Sequence, residues 1–178
     1  TAADSGTPLE QGAMRMFAHT PEISKGLTAF AGSLKQNRSL PNRLVELVRL
    51  RVAFHNQCRS CMAIRYKDGQ EDGITEDLVC SLEKPMEADN LSDAEKAAIQ
   101  YGELFATNHL AINDAIYDNL RKYFNESEIV ELSMTVAFFV GFGRLAASYH
   151  MVEELPESFQ ADEKETLTPW GNDSIVVR

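Results

Sequence analysis

Apolar residues recur three and four positions apart through most of this 178-residue chain, which is the spacing of one face of an α-helix. Few segments alternate apolar and polar residues for long enough to form convincing strands. Helix-start patterns recur too, with Ser92 three residues before Glu95 and Asn125 three residues before Glu128. Such pairs cap helix N-termini. The sequence therefore predicts an all-α fold of about eight helices in a single domain, residues 1–178.

The expected helices are separated by short polar or proline-containing segments. A break is expected at 55–57, a polar turn at 67–73 and a loop at 83–90. The acidic tail from Pro156 either lies on the surface or reaches a neighbouring subunit. The segments with helical spacing are 9–17, 21–34, 41–54, 58–66, 75–82, 92–107, 113–123 and 129–150.

Composition narrows the classes of partner. The net charge of -10 repels polyanions, so nucleic acid is not expected as a partner. The chain has no continuous run of eighteen apolar residues, so we expect nothing to span a membrane. The first residues lack a basic region followed by an apolar one, so no signal peptide is expected. The predicted location is cytoplasmic.

Three cysteines are present, Cys58, Cys61 and Cys80, too few for a secreted disulfide framework. The first two lie three apart at an expected helix start, where free amides and the nearby Arg59 and Arg65 favour a thiolate. That arrangement suits reversible two-electron redox chemistry. Two structural alternatives remain, half of a zinc site and a pair of buried thiols. Cys80 stands alone, and we exclude it from the site.

The segment from Glu46 to Cys61, ELVRLRVAFHNQCRSC, resembles the core motif of the carboxymuconolactone decarboxylase-like superfamily. The redox branch of that superfamily is the AhpD-like alkylhydroperoxidases. The motif is a glutamate, eleven residues and a cysteine pair, and Glu46 and Cys58 keep that spacing. The resemblance continues through 91–101 and 127–132. It covers about residues 20–150 and leaves 156–178 as a C-terminal tail or arm.

This resemblance implies an AhpD-like multi-helical fold, homo-oligomers and no cofactor or metal. It implies reduction of a hydroperoxide by the cysteine pair, which a dithiol such as a lipoylated protein then recharges. The decarboxylase branch lacks the pair, so Cys58 and Cys61 favour the redox branch. The resemblance makes Cys61 the attacking cysteine and Cys58 the resolving one, whereas the chemistry of a helix start favours Cys58 as the nucleophile.

Two positions depart from the redox branch of the family. Ser60 stands where that branch has a histidine before the second cysteine, and Arg65 replaces the histidine that relays a proton towards the glutamate. Arginine is no base at neutral pH, although Arg65 could hold a thiolate and pair with Glu46. His55 is the only histidine near the pair and could replace the relay. Ser60 could donate a hydrogen bond to a thiolate or only fill space.

Glu46 is expected to be a buried site residue, and it can act as a base near neutral pH only if burial disfavours its charged form. The predicted function is a thiol-dependent alkylhydroperoxidase of peroxiredoxin type. The alternatives are a decarboxylase-like enzyme with incidental cysteines, and a redox-inert family member with a structural role.

Overall fold

The computed structural model describes residues 7–160 and 165–177, which contain nine α-helices, four 3-10 turns and two short β-strands. The all-α prediction is thereby confirmed. The chain divides into two compact units, one ending at Arg38 and the other beginning at Ser39. The expectation of a single domain over residues 1–178 stays a prediction.

The first unit is a pair of helices, α1 (Pro8–Ala18) and α2 (Pro21–Gln36). Thr7 and Glu10 form a capping box at the start of α1, which satisfies amides that have no partner within the helix. Pro21 occupies the first turn of α2, where its missing N–H costs nothing. An open groove of about 960 Å³ lies between these two helices.

The second unit is built around α3 (Asn42–Asn56), whose side chains are buried on nearly every side. It packs against α7 (Asp93–Thr107) and α9 (Glu126–Tyr149). A Cβ at Gly102 of α7 would lie 2.9 Å from Val48 of α3, so the absence of a side chain allows these helices to pack closely. The other helices are α4 (Arg59–Ala63), α5 (Lys67–Glu71), α6 (Glu76–Cys80) and α8 (Asp114–Leu120).

The capping residues identified in the sequence start the helices as expected. Ser92 and Glu95 form a capping box at α7, and Asn125 and Glu128 form another at α9. Thr75 accepts a hydrogen bond from the Leu78 amide at the start of α6. Local polar chemistry therefore sets these boundaries.

The helix predicted over 58–66 is shorter than expected, and the turn predicted over 67–73 contains a helix. After α4 the chain extends into β1 (Ile64–Tyr66), and Lys67–Glu71 then forms α5. The strand β1 pairs in parallel with β2 (Ile175–Val177) in the tail. A three-residue strand is too short to show as alternation in the sequence.

Helix α9 bears on the expectation that nothing spans a membrane. Its segment Glu126–Ser148 is long and apolar enough to cross one by length and composition, with a mean hydropathy of 1.6, and 39% of it is buried in the protein. The core helix of a soluble protein meets the same criterion. Ile129, Leu132 and Val136 of α9 lie in the core, so a core role accounts for one face of this helix.

Candidate redox site at the start of helix α4

A disulfide joins Cys58 and Cys61, whose Cα atoms are 5.1 Å apart. Cys58 is the N-cap of α4, and the Cys61 amide donates a hydrogen bond to its Sγ at 3.3 Å. Cys58 has no exposed surface, whereas Cys61 is partly exposed. The two cysteines therefore differ in exposure, and Cys61 is the one that solvent reaches.

The turn between α3 and α4 places the cysteine pair. Asn56 is the last residue of α3, and Gln57 takes the left-handed conformation with a φ of 49°. A left-handed residue ends a helix and reverses the chain, and the Cys58 amide then bonds to the Ala53 carbonyl at 3.2 Å. The break predicted at 55–57 is confirmed, and Gln57 rather than Asn56 is the left-handed residue.

Ser60 is the polar side chain nearest the buried sulfur among the contacts described. Its Oγ lies 3.6 Å from Cys58 Sγ, and its side chain is buried. When the disulfide is reduced, a Cys58 thiolate would have two donors in reach, the Ser60 hydroxyl and the Cys61 amide. This geometry supports the expected role of Ser60 as a hydrogen-bond donor to a thiolate.

Glu46 is buried, as expected, and is bound by an arginine that the sequence analysis did not single out. Arg49 donates to both Glu46 carboxylate oxygens, at 2.6 and 2.7 Å. The same guanidinium donates to the carbonyls of Cys61 at 2.6 Å and Ile64 at 2.7 Å. The Tyr66 amide adds a bond of 3.1 Å to Glu46. The Glu46–Arg49 pair therefore clamps the C-terminal end of α4. The two residues lie three apart on α3, and this spacing is the sequence feature from which the pair could have been predicted.

The surroundings of Arg49 favour the charged form of its guanidinium. Burial by itself lowers the pKa of Arg49, but the charge of Glu46 and its hydrogen bond raise it by more, so the net pKa lies above the ordinary value. Both carboxylate oxygens of Glu46 are thus bound by a charged guanidinium. A Cβ at Gly69 would lie 2.9 Å from Glu46 Cγ, so α5 also fixes this side chain.

Arg65 does not pair with Glu46, so that part of the sequence interpretation is wrong. Its side chain is fully buried and donates to both carboxylate oxygens of Glu76, each at 3.0 Å. It also donates to the Met62 carbonyl at 2.7 Å. The guanidinium of Arg49, which binds Glu46, lies 4.8 Å from the centre of the Tyr66 ring. Successive side chains of a strand point to opposite faces, so β1 directs Arg65 away from that pair. Arg65 supports the turn after α4.

His55 lies towards α7 rather than towards a cysteine in the contacts described. Its Nε2 is 3.7 Å from Glu103 Oε1, too far for a hydrogen bond, and its ring packs on Phe54. Burial lowers the pKa of His55, the charge of Arg51 lowers it further, and Glu103 opposes both. These contacts give no support to a role of His55 as a proton relay.

Within residues 7–160 and 165–177, no group of three or more His, Cys, Asp or Glu side chains is placed to hold a metal ion. Cys80, which the sequence analysis excluded from the site, is an exposed free thiol at the end of α6.

The fold and site together define an all-α protein that carries a CxxC disulfide at a helix start. The model of the carboxymuconolactone decarboxylase family matches residues 21–104, which include Glu46 and both cysteines. The match covers just under half of this chain, which is therefore similar to that family and has an AhpD-like all-α fold.

Relatives with solved structures share this fold at low sequence identity. A protein of unknown function from Agrobacterium tumefaciens has a TM-score of 0.65 at 20% identity, covering 76% of this chain and 93% of its own. An uncharacterized peroxidase-related protein with an alkylhydroperoxidase AhpD core, from Ralstonia eutropha JMP134, has a TM-score of 0.64 at 19% identity, covering 82% and 76%.

Similarity in sequence also extends to curated proteins. The uncharacterized protein Rv2313c of Mycobacterium tuberculosis is 29% identical over 121 residues, which are 66% of this chain and 42% of the relative. The match thus spans less than half of that relative's length.

Proposed function

We propose that this protein is a thiol-dependent peroxidase that reduces alkyl hydroperoxides with the Cys58–Cys61 pair. The observation that carries the proposal is a disulfide at a helix start that joins a buried cysteine, Cys58, to a partly exposed one, Cys61. A reactive pair needs one sulfur that solvent reagents can reach and a second sulfur close enough to resolve the product. Cys61 and Cys58 meet these two requirements.

The oxidative half begins with the reduced pair. The Cys61 thiolate attacks the terminal oxygen of the hydroperoxide, the O–O bond breaks, and the alkoxide takes a proton from solvent to leave as an alcohol. The Cys61 sulfenic acid then reacts with the Cys58 thiol, which forms the disulfide and releases water. Because Arg49 holds Glu46, this sequence uses solvent at the partly exposed Cys61 for proton transfer.

The reductive half uses an external dithiol. Its thiolate attacks Cys61, the reachable sulfur, and Cys58 leaves as a thiolate with the Cys61 amide and the Ser60 hydroxyl in reach. A stabilised leaving thiolate speeds exchange. The second thiol of the reductant then attacks the mixed disulfide, which leaves an oxidised reductant and a reduced pair.

The proposed partners are a hydroperoxide substrate, a dithiol or lipoylated-protein reductant, and further copies of this chain in the cytoplasm. Helix α9 supports self-association because it exposes large apolar side chains at helical spacing. Val130, Met134, Leu145 and Tyr149 of α9 are each more than a third exposed. Exposed apolar faces commonly form subunit interfaces.

The test is intact mass and free-thiol count of the reduced protein before and after one equivalent of cumene hydroperoxide. We expect the wild type to lose two hydrogens and two thiols, Cys58→Ser to stop at a trapped sulfenic acid on Cys61, and Cys61→Ser to react little. Cys80→Ser, which removes the exposed free thiol, is the matched control and should behave like the wild type. A wild-type pair that stays reduced for many minutes would contradict the proposal.

The second candidate function is that of a redox-inert or structural member of the family. Ser60 and Arg65 stand where the redox branch has its two histidines, and Arg65 is bound to Glu76. Such a protein would form the disulfide with a small-molecule oxidant yet react with hydroperoxide no faster than a free thiol. The same mass experiment, with a free cysteine peptide as reference, separates these outcomes. The decarboxylase alternative stays a prediction.

A further inference from the structure

The last described segment of the chain, residues 165–177, crosses the redox site, and we name it the C-terminal strap. It lies outside the segment matched by the family model. The sequence left open whether the tail lies on the surface or reaches another subunit. Within its described residues, the strap is bound to the second unit of its own chain at both ends and in the middle.

One end of the strap is bound by the two residues that flank Cys58. The Gln57 side-chain amide donates to the Leu167 carbonyl at 3.0 Å and accepts from the Leu167 amide at 2.9 Å. On the other side of Cys58, Arg59 donates to the Glu165 carbonyl at 2.6 Å. These bonds hold the strap backbone across the end of α4 where the buried sulfur lies.

The rest of the strap is bound further along the same face. Trp170 packs on Phe54 of α3 with ring centroids 5.6 Å apart. Ser174 donates to Glu76 at 3.2 Å, and β2 pairs with β1 directly after the disulfide helix. Both ends of α4 are therefore attached to the strap, which makes it part of the site's wall.

We propose that the C-terminal strap determines which reductant reaches the disulfide. It keeps Cys58 closed, confines thiol exchange to Cys61, and admits low-molecular-weight dithiols while excluding the broad surface of a globular dithiol protein. The proposal deepens the reductive half of the proposed function and rests on it. Gln57 is the positioning residue of the strap.

The physical reason is the geometry of thiol exchange. A thiolate attacks a sulfur in line with the S–S bond, from the side opposite the leaving sulfur, so access to each sulfur decides which is attacked. Cys58 has no exposed surface, and Cys61 is only partly exposed. A small dithiol can enter through such an opening, whereas a protein must wait until the strap opens. The rate of reduction by a protein then scales with the population of the state in which the strap is open.

The experiment measures the rate of disulfide reduction in the full chain with two reductants, dithiothreitol and reduced thioredoxin. Gln57→Ala removes both side-chain bonds to Leu167 and keeps a non-glycine residue at the left-handed position. Losing two hydrogen bonds should raise the open population, and with it the thioredoxin rate, about tenfold. The dithiothreitol rate should change by less than about twofold, because that reductant does not need the open state.

Gln160→Ala is the matched control, because the bonds of Gln160 within the described part of the chain go to the Leu155 and Glu153 carbonyls. It should leave both rates unchanged. Trp170→Ala removes the contact with Phe54 and is a second strap variant should Gln57→Ala fold poorly. Trp170 is the single tryptophan, so its fluorescence reports whether the strap is docked in Gln57→Ala.

An unchanged thioredoxin rate in both strap variants, or an equal acceleration of both reductants, would overturn the proposal. No hydroperoxide enters this assay. A protein that fails to react with hydroperoxide would therefore defeat the peroxidase function without altering the exchange rates on which the strap is judged.

Discussion

Replacing Glu46 by glutamine tests whether this residue clamps the disulfide helix. The Glu46 side chain is 4% exposed and that of Arg49 is 7% exposed, so the substitution leaves a guanidinium buried without its counter-ion. Removing one partner of a buried pair costs about 3–5 kcal/mol. The amide keeps the volume and one acceptor, which offsets about 1 kcal/mol. We expect Glu46→Gln to lose about 3 kcal/mol.

The assay is urea denaturation of the oxidised protein followed by far-UV circular dichroism. For a chain of this size the loss corresponds to a fall in Tm of about 6–12 °C. Glu126→Gln is the matched control, since it also breaks a bond to an arginine, but one whose glutamate is 73% exposed. That control should lose less than about 1 kcal/mol. A loss in Glu46→Gln no larger than in the control would refute the buried clamp.

The same variant separates a clamp from a catalytic base. A general base contributes about 10²–10⁴-fold to a rate, so loss of one would lower the hydroperoxide reaction by that factor even in folded protein. We expect less than about a tenfold change, because Arg49 already occupies both oxygens of Glu46. A hundredfold loss in Glu46→Gln, under conditions where circular dichroism shows native protein, would restore Glu46 as the base.

Three further predictions follow from other contacts. Burial lowers the pKa of His55 in the folded protein, so on acidification the imidazole is protonated in the unfolded chain before it is protonated in the folded one. The free energy of unfolding should therefore fall as the pH drops below about 6.5. His55→Gln should flatten this slope in urea titrations. Burial raises the pKa of Glu95, but bonds from Arg43 and Ser92 lower it by more. Glu95→Gln should therefore lose stability above about pH 4.5, with the difference from wild type vanishing in acid. Gly143→Ala should lower stability by about 1–3 kcal/mol in the same titrations, since its Cβ would overlap the Asn56 amide.

Local signals in the sequence predicted the parts of the fold that local chemistry decides. The capping residues before α7 and α9 start those helices because their side chains bond to amides three positions away. The break at 55–57 was visible because Asn tolerates the left-handed conformation that ends helices, although Gln57 is the residue that adopts it. The strand pair was not, because Ile64 finds its partner at Ile175, more than a hundred residues away. A pairing so distant depends on the whole fold.

The candidate site shows the same division. The cysteine pair and its place at a helix start were readable from spacing, and the burial of Glu46 followed the family motif. The partners of its charged residues were not readable. Arg65 was the arginine expected to pair with Glu46, but Arg49 binds Glu46 and Arg65 binds Glu76. When a charged side chain can reach several partners, the packing of the folded chain decides which partner it binds.

These pairings change how the site must work. In the redox branch of the family the glutamate and the relay histidine form a proton path, and here Arg49 holds the glutamate while Arg65 occupies the position of the histidine. A pair without such a path depends on what its surroundings supply directly, namely solvent at Cys61 and donors at Cys58. In the proposed mechanism, access to Cys61 then controls the chemistry. The strap, bound to Gln57 and Arg59 on either side of Cys58, is the element proposed to control that access.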